Sequence, residues 1–195
     1  MRAARTAAEL LPDLPEPGEA VHALMLGTFD LMQVITATIR RVPECHHLRV
    51  ATLCFSKRNA AELLGLLETF TRLRLTMLVS EFFKGHNKEL FEKFTEDVKE
   101  HPTARLTAAR THAKVVTFEL STNDGLVFEG SANLRTNGNR EQLTVFRDRM
   151  PRVSTASSSP KDWLKTLRAD GLGGRSSSSP MPCASGSFLP TRSSV

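Results

Sequence analysis

The sequence predicts an α/β fold in which a mixed β-sheet is flanked by helices. Strand-like and helical stretches alternate over the first hundred residues, as they do when helices connect neighbouring strands. Beyond residue 104 the strand-like stretches follow one another directly, which makes the sheet mixed. With 195 residues, 40% of them hydrophobic, one domain with a single core is expected.

The alternating half begins with a strand at 23–27 and a helix at 30–41, whose apolar residues recur near helical spacing. The next strand, 48–55, is continuously apolar, as strands buried on both faces are. Ser56 is placed to cap the helix that follows at 59–69.

A strand at 73–79 and a helix at 87–100 complete the alternating half. This helix carries one apolar stripe, and Pro102 ends it. Consecutive strands are then predicted at residues 105–109, 113–120, 125–131 and 142–147.

Composition divides the chain into three parts. Residues 1–20 are Ala-rich and then Pro-rich, which predicts a loose N-terminal arm, and residues 21–149 form the folded domain. Residues 150–195 are Ser-rich and too polar to bury a core, so we expect them to be mostly disordered. Within them, Pro160 at a first helical position permits a short helix at 160–168.

The net charge of +5 and the pI of about 9.4 favour polyanionic partners, although ordinary solubility accounts for them equally well. Three cysteines without a disulfide pattern predict a reducing, cytoplasmic location: Cys45, Cys54 and Cys183. The triplet 45–47, Cys-His-His, lacks partners at metal-ligand spacing and is interpreted as a loop entering a strand. No apolar run is long enough for a membrane span, and we expect none.

His112 and Lys114 begin the most informative stretch of the chain. Residues 111–119 alternate like a strand, in which side chains two positions apart share a face. An imidazole should therefore project beside an ammonium. A turn at 121–125 joins this stretch to the next strand, and we expect the two to pair as a hairpin.

The second stretch ends in small and hydrogen-bonding residues, namely Gly130, Ser131 and Asn133. Together with the imidazole and the ammonium they form a set of groups suited to phosphate chemistry, which needs a nucleophile and donors to developing negative charge. Taken singly, each residue is more typical of an ordinary packed or solvated side chain. Their occurrence together, in order, favours a functional site.

This stretch resembles the phospholipase D superfamily. The pattern there is His-x-Lys, four residues, an acid, a spacer, and Gly-Ser-x-x-Asn or a close variant, followed by a further acid. The counterparts in this chain are His112 and Lys114, Glu119 where the family usually has Asp, Gly130-Ser131-x-Asn133 after a longer spacer, and Glu141. The resemblance implies the fold of one phospholipase D-like half-unit.

The resemblance also implies a role for each residue. His112 would attack phosphorus, which divides one difficult step into two easier ones, and Glu141 would orient the imidazole. The non-bridging oxygens would be held by Lys114, Ser131 and Asn133. A well-placed donor of this kind is worth roughly 3 kcal/mol in the transition state.

Glu119 falls on the opposite strand face from His112 and Lys114 by parity, so we expect a supporting acid there. Since no metal-ligand cluster accompanies the motif, we expect chemistry without a metal or another cofactor. Family members bring two His-x-Lys motifs together, and this chain has one. The resemblance therefore implies a homodimer with a shared site.

The leading hypothesis is a phospholipase D-like phosphodiesterase acting on nucleic acid through a phosphohistidine intermediate. One alternative is a catalytically weak or inactive module of the same fold that binds nucleic acid. A phospholipid headgroup hydrolase ranks lower, because no lipid-binding stretch is evident.

Overall fold

Eight strands form one mixed sheet in the computed structural model, which describes residues 2–120, 124–135 and 138–148. The strands are β1 (Arg2–Ala4), β2 (Ala20–Met25), β3 (His47–Thr52), β4 (Arg74–Ser80), β5 (Ala104–Ala109), β6 (Val115–Glu119), β7 (Gly125–Gly130) and β8 (Glu141–Asp148). The helices are α1 (Ala7–Leu10), α2 (Leu31–Ile39), α3 (Lys57–Thr69), α4 (Glu81–His86) and α5 (Lys88–Lys99). The predicted α/β fold with a mixed sheet is confirmed. The expected Ser-rich tail and its short helix lie outside the described residues.

The strand order is β1-β2-β8-β7-β6-β3-β4-β5. β3, β4 and β5 are parallel, and the helices α3, α4 and α5 lie in the connections between them. β6, β7 and β8 are antiparallel and lie between β2 and β3. The predicted hairpin of β6 and β7 is confirmed, with Val115 paired to Glu129.

Helix starts follow local capping chemistry. The side chain of Asp30 accepts a hydrogen bond from the backbone N–H of Gln33 and caps the start of α2. The side chain of Ser56 does the same for α3 with the backbone N–H of Asn59. Both form capping boxes, in which two otherwise unpaired donors are satisfied reciprocally. The predicted cap at Ser56 is therefore confirmed.

The main core lies between the helices and one face of the sheet, and its strand residues include Leu48, Val50, Met77 and Phe118. On the opposite face of the same strands lies a smaller cluster, Ala51, Leu78 and Ala109. Successive residues of a strand point to opposite faces, so adjacent positions of β3 enter different clusters. The prediction that β3 is buried on both faces is confirmed.

Residues 2–20 are ordered, which corrects the expectation of a loose arm. β1 pairs in parallel with the end of β2, and α1 begins at a cap formed by Thr6. Ala4, Leu10 and Leu11 are buried in the main core. The Pro-rich composition therefore masked a few apolar residues that anchor the segment.

α4 was not predicted. Its six residues are too few to show helical periodicity, and it ends at His86, immediately before the predicted helix. Ser80 caps it, and Phe83 anchors it in the core against Phe55. No helix among the described residues has the length and apolar character needed to cross a membrane.

Candidate active site

Five of the six predicted site residues lie at one edge of the sheet, where β2, β3, β4 and β5 end. His112 and Lys114 follow β5, Ser131 and Asn133 follow β7, and Glu141 opens β8 opposite Met25. Crevices outside the carboxyl ends of strands are the usual ligand sites of α/β sheets. The topology thus gathers residues that are up to 29 positions apart in the sequence.

His112 and Lys114 precede β6 instead of lying within it, which corrects the predicted strand. Ala113 donates its backbone N–H to the hydroxyl of Thr111 at 3.1 Å. Such local side-chain bonds compete with strand pairing, and the pairing of β6 with β3 begins only at Val115. His112 is exposed, Lys114 is half-buried, and the lysine Nζ donates to the carbonyl of His112 at 3.2 Å.

Gly130 serves the packing of two strands. A Cβ built at this position would lie 2.0 Å from the carbonyl oxygen of Gln142 in β8, so a side chain cannot fit without a backbone shift. Its N–H donates to the carbonyl of Lys114 at 3.3 Å. Gly130 therefore fixes β7 between Lys114 and β8.

Ser131 and Glu141 form a hydrogen-bonded pair, in which the serine hydroxyl donates to the glutamate carboxylate. The same hydroxyl accepts from the backbone N–H of Gln142 at 3.0 Å. The register of β7 on β8 creates this contact, because Gly130 pairs with Leu143 just beside it. The predicted acid and the predicted serine are thus neighbours at the site.

Asn133 is held by the end of β3. Its side-chain oxygen accepts from the backbone N–H of Leu53 at 3.2 Å and lies 3.5 Å from the hydroxyl of Thr52. Because the oxygen is used in this way, an incoming phosphate oxygen would meet the NH2 end of the amide, which is a donor. Nothing in the sequence pattern had indicated this link to β3.

A second cation, Arg135, acts on the same thiol as Lys114. Burial raises the pKa of the Cys54 thiol, and the positive charges of Arg135 and Lys114 act against this rise. Both cations are therefore within electrostatic reach of the loop that follows β3. Arg135 is exposed and was not among the predicted site residues.

Glu119 lies at the other end of β6, five residues beyond Lys114, or about 16 Å along an extended strand. Its carboxylate is 2.8 Å from Arg49, 3.5 Å from His47 and 3.4 Å from His46. Burial would raise the pKa of Glu119, but the bond to His47 and the charge of Arg49 outweigh it and hold the pKa at about 2. This residue does not join the other five.

His46 and His47 do enter β3 from a loop, as expected for the Cys-His-His triplet. The thiol of Cys45 is buried and lies 3.6 Å from the carbonyl of His47. Within the described parts of the chain, no three His, Cys, Asp or Glu side chains are grouped so as to hold a metal ion.

No family model and no curated protein matches this chain. Solved structures of similar fold belong to the phospholipase D superfamily. A phosphatidylserine synthase from Haemophilus influenzae Rd KW20 is 14% identical with a TM-score of 0.49, over 78% of this chain and 37% of that one. A polyphosphate kinase from Porphyromonas gingivalis is 10% identical with a TM-score of 0.48, over 79% and 26%.

A yeast tyrosyl-DNA phosphodiesterase is 12% identical with a TM-score of 0.37, over 65% of this chain and 31% of that one. The chain thus spans between about a quarter and two fifths of the length of these three proteins. At such identities the likeness concerns the course of the backbone and says nothing about substrate.

Proposed function

We propose that this chain is a phosphodiesterase of the phospholipase D type that acts on nucleic acid. The observation that carries the proposal is the convergence, at the carboxyl edge of the sheet, of an exposed imidazole and an ammonium with a serine–glutamate pair and an amide. These groups belong to His112, Lys114, Ser131, Glu141 and Asn133.

The proposed reaction has two steps. A ring nitrogen of His112 attacks phosphorus, an N–P bond forms, and the P–O bond to the leaving group breaks while that oxygen takes a proton. Water then attacks the phosphohistidine, breaks the N–P bond and releases the phosphoryl product. Lys114 and the amide of Asn133 stabilise the negative charge that develops on the non-bridging oxygens.

The leaving oxygen needs a proton donor. Glu141 already accepts from the hydroxyl of Ser131, so a second imidazole is the better donor near neutral pH. We place that imidazole on a second copy of the chain, as His112 related by a twofold axis. In the second step the same group takes a proton from water.

Nucleic acid is the proposed substrate because exposed cations surround the site. Arg110, Arg135 and Arg140 are exposed on the loops that carry the motif, in a chain of net charge +5. A binding module without turnover is the alternative, and a lipid headgroup hydrolase ranks below both. A cytoplasmic location belongs to the proposal, since the described cysteines, Cys45 and Cys54, are free thiols.

The test is hydrolysis of bis-p-nitrophenyl phosphate by wild type, His112→Ala and His101→Ala. His101 lies at the opposite edge of the sheet and provides a matched loss of one imidazole. We expect turnover by wild type and by the control, unchanged in EDTA, and none by His112→Ala. Oligonucleotide binding without turnover would identify the binding module, and activity in His112→Ala would exclude the proposed nucleophile.

A further inference from the structure

Phe82 exposes an aromatic ring at the edge of the sheet that carries the candidate active site. Its side chain is 64% exposed, and no other large hydrophobic residue in the described ranges is exposed. A single exposed hydrophobic residue is common on protein surfaces. What sets Phe82 apart is its position and the ring beside it.

α4, which carries Phe82, begins directly after the last residue of β4. That residue, Ser80, pairs with Ala109 at the end of β5, and His112 follows three positions later. The Cα atoms of Phe82 and His112 lie no more than about 23 Å apart, because only five residues of extended chain and one strand spacing separate them. A short oligonucleotide can span this distance.

The ring of Phe82 stacks on the ring of His86, with centroids 4.0 Å apart and planes at 30°. Residues four apart share a face of a helix, and His86 Nδ1 lies 2.9 Å from the carbonyl of Phe82, which helps to fix the imidazole. Phe83, on the same helix, is buried in the core. We call this ordered pair of rings the Phe82–His86 platform.

Positive charge lies on both sides of the platform. Arg110 is exposed immediately after β5. On the His86 side, a groove of about 850 Å³ between α3 and α5 has a charged lining of Lys57, Lys88, Lys93, Glu89 and Asp97. Lys93 pairs with Asp97 at 2.5 Å and Lys88 with Glu92 at 3.7 Å, whereas Lys57 is exposed at the start of α3. The acid nearest the platform in sequence is Glu81.

We infer that the Phe82–His86 platform stacks a base of a single-stranded nucleic acid whose phosphates follow the flanking cations toward His112. This inference rests on the proposed function and names its substrate class. Aromatic stacking suits every base, is worth roughly 1–3 kcal/mol per base, and commonly accompanies a cationic groove in single-strand binding proteins. In a duplex the base faces are already stacked on one another, so the platform selects single strands.

The experiment compares wild type, Phe82→Ala and Phe82→Trp by fluorescence anisotropy with a labelled single-stranded oligonucleotide and with an abasic strand of equal length. We expect Phe82→Ala to bind the normal strand about 5- to 150-fold more weakly, which is the stacking energy converted at 1.36 kcal/mol per tenfold. Phe82→Trp should bind as wild type does. On the abasic strand all three should bind with equal, weak affinity.

Hydrolysis of bis-p-nitrophenyl phosphate separates the two proposals, because this substrate is too small to reach the platform. Phe82→Ala should hydrolyse it at the wild-type rate. Normal oligonucleotide binding by Phe82→Ala, or an equal loss on normal and abasic strands, would overturn the inference. Loss of self-association with unchanged oligonucleotide binding would also overturn it and make the platform a contact between copies.

The proposed function and the inference fail separately. If the wild-type protein binds normal strands more tightly than abasic strands through Phe82 but cleaves no phosphodiester, the stacking inference is upheld and the proposed enzymatic activity is refuted. If the wild-type protein cleaves phosphodiesters but Phe82→Ala binds oligonucleotides as well as wild type does, the proposed activity is upheld and the stacking inference is refuted.

Discussion

Replacing Glu119 with Gln should destabilise the fold without removing any group of the proposed active site. The carboxylate is 17% exposed and pairs with Arg49, whose side chain is 4% exposed. Removing one partner of a buried ion pair costs roughly 3–5 kcal/mol, because the remaining charge stays buried and unpaired. Since Glu119 retains some contact with solvent, we expect a loss near the lower figure, about 3 kcal/mol.

The pH dependence gives a second value, for the interactions of Glu119 with His47, Arg49 and His46 together. The pKa of Glu119 falls from 4.5 to about 2 in the folded state, so its stabilisation is present above pH 4.5 and is lost as the pH falls toward 2. At 1.36 kcal/mol per pKa unit, this amounts to about 3 kcal/mol. The difference in unfolding free energy between wild type and Glu119→Gln should therefore shrink toward zero over that interval.

The assay is urea denaturation at several pH values from 7 down to 2.5. Glu129→Gln, at an exposed acid of the same sheet, is the matched control and should differ from wild type by less than about 0.5 kcal/mol. The double variant Arg49→Met/Glu119→Leu should recover most of the stability, since it removes both buried charges. A loss below 1 kcal/mol in Glu119→Gln, or one independent of pH, would refute this reasoning.

Three further predictions test the dimer, the polyanion site and the strand packing. When equal amounts of His112→Ala and wild-type protein are mixed and exchange subunits, we expect well under half of the wild-type activity toward bis-p-nitrophenyl phosphate, because mixed dimers lack one imidazole. A loss strictly proportional to the fraction of variant would exclude a shared site. Binding to unrelated oligonucleotides should weaken steeply with salt and show no sequence preference, since phosphate contacts carry affinity but no sequence information, and a flat salt titration would contradict this. Gly130→Ala should lower the unfolding free energy by roughly 1–3 kcal/mol or more, because its Cβ would lie 2.0 Å from a backbone carbonyl oxygen. Gly65→Ala in α3, whose Cβ would have no atom within 4 Å, should raise the unfolding free energy by about 0.5–1 kcal/mol. Denaturation measures both changes.

The order of the elements was predictable because the hydrophobic periodicity changes at element boundaries. Strands β2 to β8 and the three longer helices were found to within a few residues, and the cap at Ser56 was found from a single side chain. α4 was missed because six residues are too few for a period, and β1 because its pairing with β2 is a tertiary contact. Local patterns cannot report contacts of that kind.

The motif named the residues of the candidate site, but it could not predict their geometry. Alternation placed His112 and Lys114 inside a strand, whereas the Thr111 hydroxyl bonds locally and strand pairing begins at Val115. The contact of Ser131 with Glu141 depends on the register of β7 on β8, which one sequence does not reveal. The sequence also contained no sign that Asn133 is held by β3, because that contact joins residues 80 positions apart.

The spacing between His-x-Lys and the following acid matches the length of one strand. Lys114 immediately precedes β6, and Glu119 is its last residue, so the two lie at opposite ends of the same strand. The odd spacing of five places Glu119 with Arg49 on the face of the sheet that the main core does not occupy. A shift of one residue between them would turn the acid toward the apolar main core. The acid is therefore best understood as the anchor of β6, at the end of the strand opposite the candidate active site.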